Sequence, residues 1–283
     1  MEAEAMLSMA RSDVKTNEIV LFHVHDPEPA LNFGDVTNET LFDLCVRSIR
    51  ARSPSSSITL LTDAVTNIGA GYSDIQVIRD FSLKTEYLMY ERARLYGEHV
   101  SRRSREDRAL PIAFLDIDIL VNRDLEEVFT LPFDVALTFR KQPGIVLDTN
   151  DIPINTQVSP INGGVIFAKP TAAASEFFSE QMVRYDALHI QGPIRGSMVQ
   201  DIRKWGGDQF ALMNMVGRVL VEERPTSVQF SGVNVRFLDC DTYNFSPELG
   251  MTITSETIAP VFILHLKGPR KKWMPMLAKW MGI

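Results

Sequence analysis

The stretch AFLDIDILV, Ala113 to Val121, sets two carboxylates, Asp116 and Asp118, one residue apart inside an apolar run. A segment so rich in Phe, Leu, Ile and Val predicts a strand buried on both faces, where unpaired charge is too costly to be incidental. Residues i and i+2 of a regular strand point to the same face, so the pair can converge on one divalent ion at the strand's end. Hard oxygen ligands favour Mg²⁺ or Mn²⁺ over zinc. Capping of the following turn is the ordinary use of a strand-end Asp. A second copy, Asp239-Cys240-Asp241, fits that ordinary use because it runs into Thr242-Tyr243-Asn244-Phe245.

Around this stretch, strand and helix patterns alternate, which predicts an α/β fold with a mostly parallel sheet. Strands are expected at Glu18 to Val24, Ile58 to Leu61, Ile75 to Ile78, Val135 to Phe139, Val165 to Ala168, Val228 to Leu238 and Pro260 to Leu266, with Gly232 bulging the second-last. Helices are expected at Asn38 to Ile49, capped by Thr37, and at Leu83 to Val100, Ala172 to Leu188 and Asp208 to Val216. Pro143 to Pro160, with three prolines, reads as a long loop of the kind that forms lids or binding loops. The arginines at 102, 103, 105 and 108 read as a solvated loop diluted by Glu106 and Asp107. Residues 1–17 are expected to be a flexible N-terminus, 18–274 a single domain and 275–283 a tail.

The 283 residues suffice to bury a sizeable core, and 45% hydrophobic with 23% charged residues is the balance of an ordinary soluble globule. A net charge of -7 argues against nucleic acid as the main partner, because phosphate neutralisation needs a basic surface. Cys45 and Cys240 lie in apolar stretches away from any zinc-like spacing, which predicts buried reduced thiols and a cytoplasmic protein. Neither a secretory signal pattern nor a membrane-spanning run is visible.

Four further stretches carry residues that could form a site. FHVHD ends the first strand with His23, His25 and Asp26, where open α/β sheets bind ligands, so these side chains can meet a base or ribose; a solvent-facing strand end is the plain alternative. Asn162-Gly163-Gly164 offers close backbone approach and an amide suited to sugar hydroxyls, although a turn is the commoner use of Asn-Gly. Gly206-Gly207-Asp208-Gln209 opens a helix that Asp208 can cap while facing a cleft. HLKGPRKKW brings His265, Lys267, Gly268 and Lys271 after an apolar strand, a set able to hold a metal and phosphates or to form a basic surface turn.

Taken in order, Asp-x-Asp, Asn-Gly-Gly, Gly-Asp-Gln and His-x-x-Gly-x-x-Lys resemble the retaining glycosyltransferases of the glycogenin and bacterial lipopolysaccharide galactosyltransferase type, from the first strand to Trp273. The resemblance implies a GT-A fold, a single Rossmann-like nucleotide-diphospho-sugar transferase domain with a mixed, mostly parallel sheet, using a UDP-sugar and Mn²⁺ or Mg²⁺. It implies Asp116, Asp118 and His265 as metal ligands, and Gly268 and Lys271 as diphosphate contacts. Asn162 and Gly163 would meet the donor sugar, and Asp208 and Gln209 would face the reacting sugar as the catalytic pair. Arg94, in ARLYGE, resembles an arginine that contacts the donor, with Arg92 a near rival. Lys267 would support phosphate and Asn244 the acceptor side. The chain departs from the family's Lys-Pro-Trp by writing Lys271-Lys272-Trp273.

The implied reaction is hexose transfer from a UDP-sugar to a hydroxyl of a glycan, lipid or protein, with retention. A sugar nucleotidyltransferase shares the architecture, but the segment after Val24 lacks a Gly- and Arg-rich triphosphate loop. A non-catalytic sugar-nucleotide or carbohydrate-binding protein on the same fold is the other alternative. The segment KKWMPMLAKWMGI mixes Lys with Trp and Met, consistent with peripheral contact at the inner face of a membrane, with core packing or with a homodimer contact.

Overall fold

A computed structural model describes residues 14–25, 36–141, 145–151, 159–190 and 201–283. Asp26 and half of the Pro143 to Pro160 loop lie outside the described residues. In chain order the main elements are β1 (Asn17–Phe22), α1 (Asn38–Arg52), β2 (Ser56–Asp63), β3 (Gln76–Asp80), α2 (Leu88–Arg103), β4 (Ile112–Leu115) and β5 (Ile119–Val121). There follow β6 (Val135–Phe139), β7 (Ile161–Ala168), α3 (Ala172–Ile190), α4 (Gly207–Glu222), β8 (Ser227–Phe230), β9 (Val233–Asp239), β10 (Ile263–His265) and α5 (Met274–Trp280). The fold is α/β with mixed, mostly parallel strand pairing.

The chain divides into two compact units. The first, residues 1–80, 110–131 and 241–283, carries strands in the order β3-β2-β1-β4, all parallel. The two central strands β1 and β4 are apolar enough to be covered on both faces: Ile19, Val20 and Leu21 are fully buried, as are Ala113, Phe114 and Leu115, whereas the edge strand β3 is half-buried. Thr37 caps α1 as expected, its hydroxyl accepting from Thr40 N–H at 3.2 Å.

AFLDIDILV does not form one strand. β4 stops at Leu115, and β5 begins at Ile119 and pairs antiparallel with β10, His265 opposite Ile119. Asp116 and Asp118 therefore sit at a break between two strands, not on the face of a regular one. Two different pairing partners, one before the break and one after, account for an apolar run that keeps charge at its middle.

The second unit, residues 81–109 and 132–240, carries strands in the order β7-β6-β9-β8, with β6 parallel to β9 and antiparallel to β7. β8 and β9 form a hairpin: Ser231 (φ 50°) and Gly232 (φ 86°) are both left-handed, so Gly232 makes the turn instead of a bulge. β7 starts at Ile161, four residues earlier than expected, and takes Asn162, Gly163 and Gly164 into the strand instead of a turn. Helices α2, α3 and α4 pack against one another around a core that includes Ala93, Tyr185, Leu188, Ile202 and Phe210.

Gly207, the first residue of α4, is set tightly into this core. A Cβ there would lie 2.3 Å from the Tyr185 ring and 2.5 Å from the Ile202 carbonyl oxygen, which backbone hydrogen bonding holds in place. Gly207→Ala is accordingly expected to cost about 1–3 kcal/mol as overpacking. Thermal unfolding should show this as a fall of about 2–4 °C per kcal/mol; an unchanged melting temperature would mean that the helix start can move.

Candidate functional site

Two groups of candidate site residues are formed, one in each unit. In the first unit β10 lies beside β5, so its last residue, His265, arrives next to Asp118; Leu266 N–H donates to the Asp118 carbonyl at 2.8 Å and fixes that register. His265 Nε2 is 3.1 Å from Asp118 Oδ1 and 3.7 Å from Asp116 Oδ2. One ligand atom from each of the three residues lies within 4.8 Å of the others. The Asn244-Phe245 segment runs along β10, with Phe245 N–H donating to Ile263 O and His265 N–H donating to Phe245 O. This brings Asn244 Oδ1 to 2.8 Å from His265 Nδ1. The sequence reading placed Asn244 on the acceptor side; its amide orients the histidine.

The donor set fits a divalent cation. With Nδ1–H donating to Asn244, a neutral ring turns the Nε2 lone pair towards the two carboxylates. Burial, reinforced by the charge of Lys267, holds His265 below its ordinary value and so favours that neutral ring. Burial raises the Asp118 carboxyl, but a protonated His265 donating from Nε2, with Lys271 and Lys267, outweighs it and holds Asp118 below the usual carboxylate range; a cation between the groups would take the place of that proton. Acceptors facing one another at these distances repel unless a cation lies among them. Lys271 adds positive charge at the rim, its Nζ 3.5 Å from Asp118 Oδ2. Gly268 has a φ of 55° and begins the short helical turn that carries Lys271, so the turn requires a residue tolerant of the left-handed region.

His23 and His25 part company. His23 is buried and stacked on Phe42, ring centroids 5.4 Å apart, and burial lowers its pKa. His25 is exposed, with Nδ1 2.8 Å from Glu39 Oε1. Cys45 is a buried thiol near the Asp116 carbonyl, and Cys240 is likewise buried and not in a disulfide.

The second unit assembles Arg92, Gly163, Asp208 and Gln209. The helix cap is Gly206, with φ 77° and no side-chain cap bond, so Asp208 is released from that role. Its Oδ2 accepts a hydrogen bond from Arg92 Nη2, and both side chains are buried. Oδ1 is buried with no hydrogen-bond partner among the described residues. Gln181 Nε2 donates to the Asp208 carbonyl at 3.2 Å and pins the backbone. A Cβ on Gly163 would lie 2.8 Å from Asp208 Oδ2, 3.2 Å from Gln209 Cγ and 3.3 Å from Arg92 Nη2. The missing side chain at 163 thus makes room for the ion pair. Asn162 Oδ1 accepts from Gly164 N–H at 3.1 Å, within the same strand.

Arg92 and Arg94 leave α2 on different sides. Arg94 pairs with Glu91 and Glu98 along its own helix, whereas Arg92 reaches Asp208. Helical spacing carries the signal: Arg92 shares a stripe with Leu95, Tyr96 and His99 at i+3, i+4 and i+7, all buried.

The sequence matches no protein-family model and no curated protein. Among solved structures it is similar to the galactosyltransferase LgtC in complex with donor and acceptor sugar analogs, with a TM-score of 0.52 and 15% identity over 94% of this chain and 95% of that one. An active-site glutamine-to-glutamate mutant of LgtC gives a TM-score of 0.51 at 15% identity, covering 93% and 95%. The apo bifunctional glycosyltransferase WbbM gives 0.50 at 13% identity, covering 90% of this chain and 46% of that one. The architecture these proteins share is the GT-A glycosyltransferase fold, and this chain adopts it.

Proposed function

We infer that the chain is a metal-dependent glycosyltransferase that moves a hexose from a UDP-sugar to a hydroxyl acceptor with retention of anomeric configuration. The observation that carries this reading is the group of half-buried Asp116 with buried Asp118 and His265, their candidate ligand atoms close together and Asn244 orienting the ring. The fold shared with a galactosyltransferase whose structure holds donor and acceptor sugar analogs supports it. Mn²⁺ suits two carboxylates and an imidazole better than Mg²⁺ does, because the ligand set is not all oxygen. When bound, the cation offsets negative charge growing on the departing diphosphate.

This chain's own residues do the rest. Lys271 adds a fixed positive charge beside Asp118, where the leaving group's charge develops. Asp208, held by Arg92 through one oxygen, offers Oδ1 to a hydroxyl of the transferred sugar, and Gln209 supplies an amide that both donates and accepts. Asn162 and Gly163 shape the strand start facing Asp208, and Gly268 sets the turn that presents Lys271. The bond from the anomeric carbon to the diphosphate oxygen breaks and one to the acceptor oxygen forms. The acceptor's proton passes to the departing phosphate oxygen, so no strong protein acid is needed.

The test is UDP release from a panel of UDP-sugars, with and without Mn²⁺, first without acceptor and then with a glycan extract. Release from one donor that requires the metal is the expected result. UDP binding that never leads to turnover would return the protein to the non-catalytic reading, and failure to bind UDP at all would overturn the nucleotide assignment.

A further inference from the structure

Asn244 is only 1% exposed, and the chain around it is fastened on both sides. Phe262 N–H donates to Thr242 O at 2.8 Å, Phe245 N–H to Ile263 O at 2.9 Å and His265 N–H to Phe245 O at 2.8 Å. Tyr243 stacks on Phe262 with ring centroids 5.1 Å apart, and the Arg123 guanidinium lies 4.1 Å from the centroid of the same ring. Thr242-Tyr243-Asn244-Phe245 is thus zipped along β10 within the first unit, and the amide of Asn244 is delivered to His265 Nδ1 at a fixed height.

A histidine that ligates a metal commonly gives its second N–H to a carboxylate or a carbonyl oxygen, and a carboxylate makes the ring the stronger ligand. An aspartate at 244 could accept the Nδ1–H as well as an asparagine does, so the hydrogen bond alone does not call for an amide. Charge separates the two. Among the described residues the group holds two carboxylates and one imidazole, a total of two negative charges, which balances one divalent cation. A third carboxylate behind the ring would leave the occupied centre negative and repel an anionic ligand. Lys271, 3.5 Å from Asp118, biases the same place towards positive.

We propose that Asn244 is a positioning residue that works by being uncharged: it fixes the His265 ring with Nε2 towards the two carboxylates, and it keeps the occupied centre neutral so that the cation still attracts a diphosphate. The inference rests on the metal-dependent reading above and deepens it, because one buried amide then sets the balance between metal affinity and donor affinity. A carboxylate in its place would hold the cation more tightly and the diphosphate less.

The test compares the whole protein with Asn244→Ala and Asn244→Asp, by Mn²⁺ titration under electron paramagnetic resonance without nucleotide and by UDP titration at saturating Mn²⁺. Asn244→Ala should weaken Mn²⁺ binding about 10- to 100-fold, the scale on which loss of a ligand's outer partner is felt. Asn244→Asp should do the opposite, tightening Mn²⁺ about tenfold while weakening UDP by about as much. A merely structural role would weaken Mn²⁺ in both variants. Nitrogen-15 histidine spectra of the unsubstituted protein with diamagnetic Zn²⁺ need no variant: His265 should carry its proton on Nδ1, and a proton on Nε2 overturns the proposal even where Asn244→Asp fails to fold. Mn²⁺ affinity unchanged in both variants, lowered in both, or raised in Asn244→Asp with no loss of UDP affinity overturns this proposal alone. A protein that binds no Mn²⁺ at all overturns the metal-dependent reading together with it.

Discussion

Asp118→Ala should lower metal-dependent turnover by at least about 100- to 1,000-fold, the scale on which loss of a preorganised charge-stabilising group is felt. The side chain offers one of the three candidate ligand atoms and lies against Lys271, so on the proposed reading one substitution removes a metal contact and loosens a cation. The fold should survive. The backbone bond that aligns β5 with β10 uses the Asp118 carbonyl, which the substitution leaves in place, and the flanking residues Ile119, Leu120 and Val121 are fully buried. Mn²⁺ titration followed by electron paramagnetic resonance should show weakened binding in the variant, while circular dichroism gives an unaltered spectrum. Chelation of the unsubstituted protein should reproduce the activity loss and Mn²⁺ should restore it, whereas in the variant neither treatment should matter. Full activity and unaltered Mn²⁺ affinity in the variant would remove the ligand role of Asp118 and with it the basis of the proposed reaction.

The same aspartates show how far the sequence can be read. Their types and spacing marked a cation site, and Asp116, Asp118 and His265 do come together. The geometry behind that meeting was hidden. Period-two reasoning assumes one strand, but β5 pairs with β10, which follows more than a hundred residues later, and no local pattern reports that partner. Gly232 illustrates a different limit. A glycine inside an apolar run fits a bulge or a hairpin turn equally well, and only the left-handed backbone at both Ser231 and Gly232 decides for the turn. At Asn162 to Gly164 the missing information was what lies opposite the glycine: the residue types suggested close approach by a ligand, and the groups found against Gly163 are the Arg92 and Asp208 pair in its own unit. Charged side chains in a helix are the hardest of these cases. Arg92 and Arg94 are chemically identical, and the choice between them depends on which joins the buried stripe.

Arg92→Met is expected to cost about 3–5 kcal/mol of stability, the cost of leaving a buried charge without its partner. Asp208 is 4% exposed, its Oδ2 is bonded to Arg92 and its Oδ1 has no partner among the described residues, so the carboxylate loses its bonded cation in the variant. Arg92→Lys should recover only part of the loss, because an ammonium lacks the planar fork of the guanidinium. Removing both charges is the informative step: Arg92→Met combined with Asp208→Asn should be more stable than Arg92→Met alone, since no uncompensated charge remains. Urea unfolding of the unsubstituted protein, Arg92→Met, Asp208→Asn and the double variant closes the cycle, and additive costs would mean that the two residues do not act as a pair. Activity should behave differently from stability. The double variant should regain stability without regaining turnover, because the carboxylate charge proposed to face the sugar is lost along with the Arg92 that holds it in place. A stable yet inactive double variant therefore separates what the pair does for the fold from what Asp208 does in the reaction.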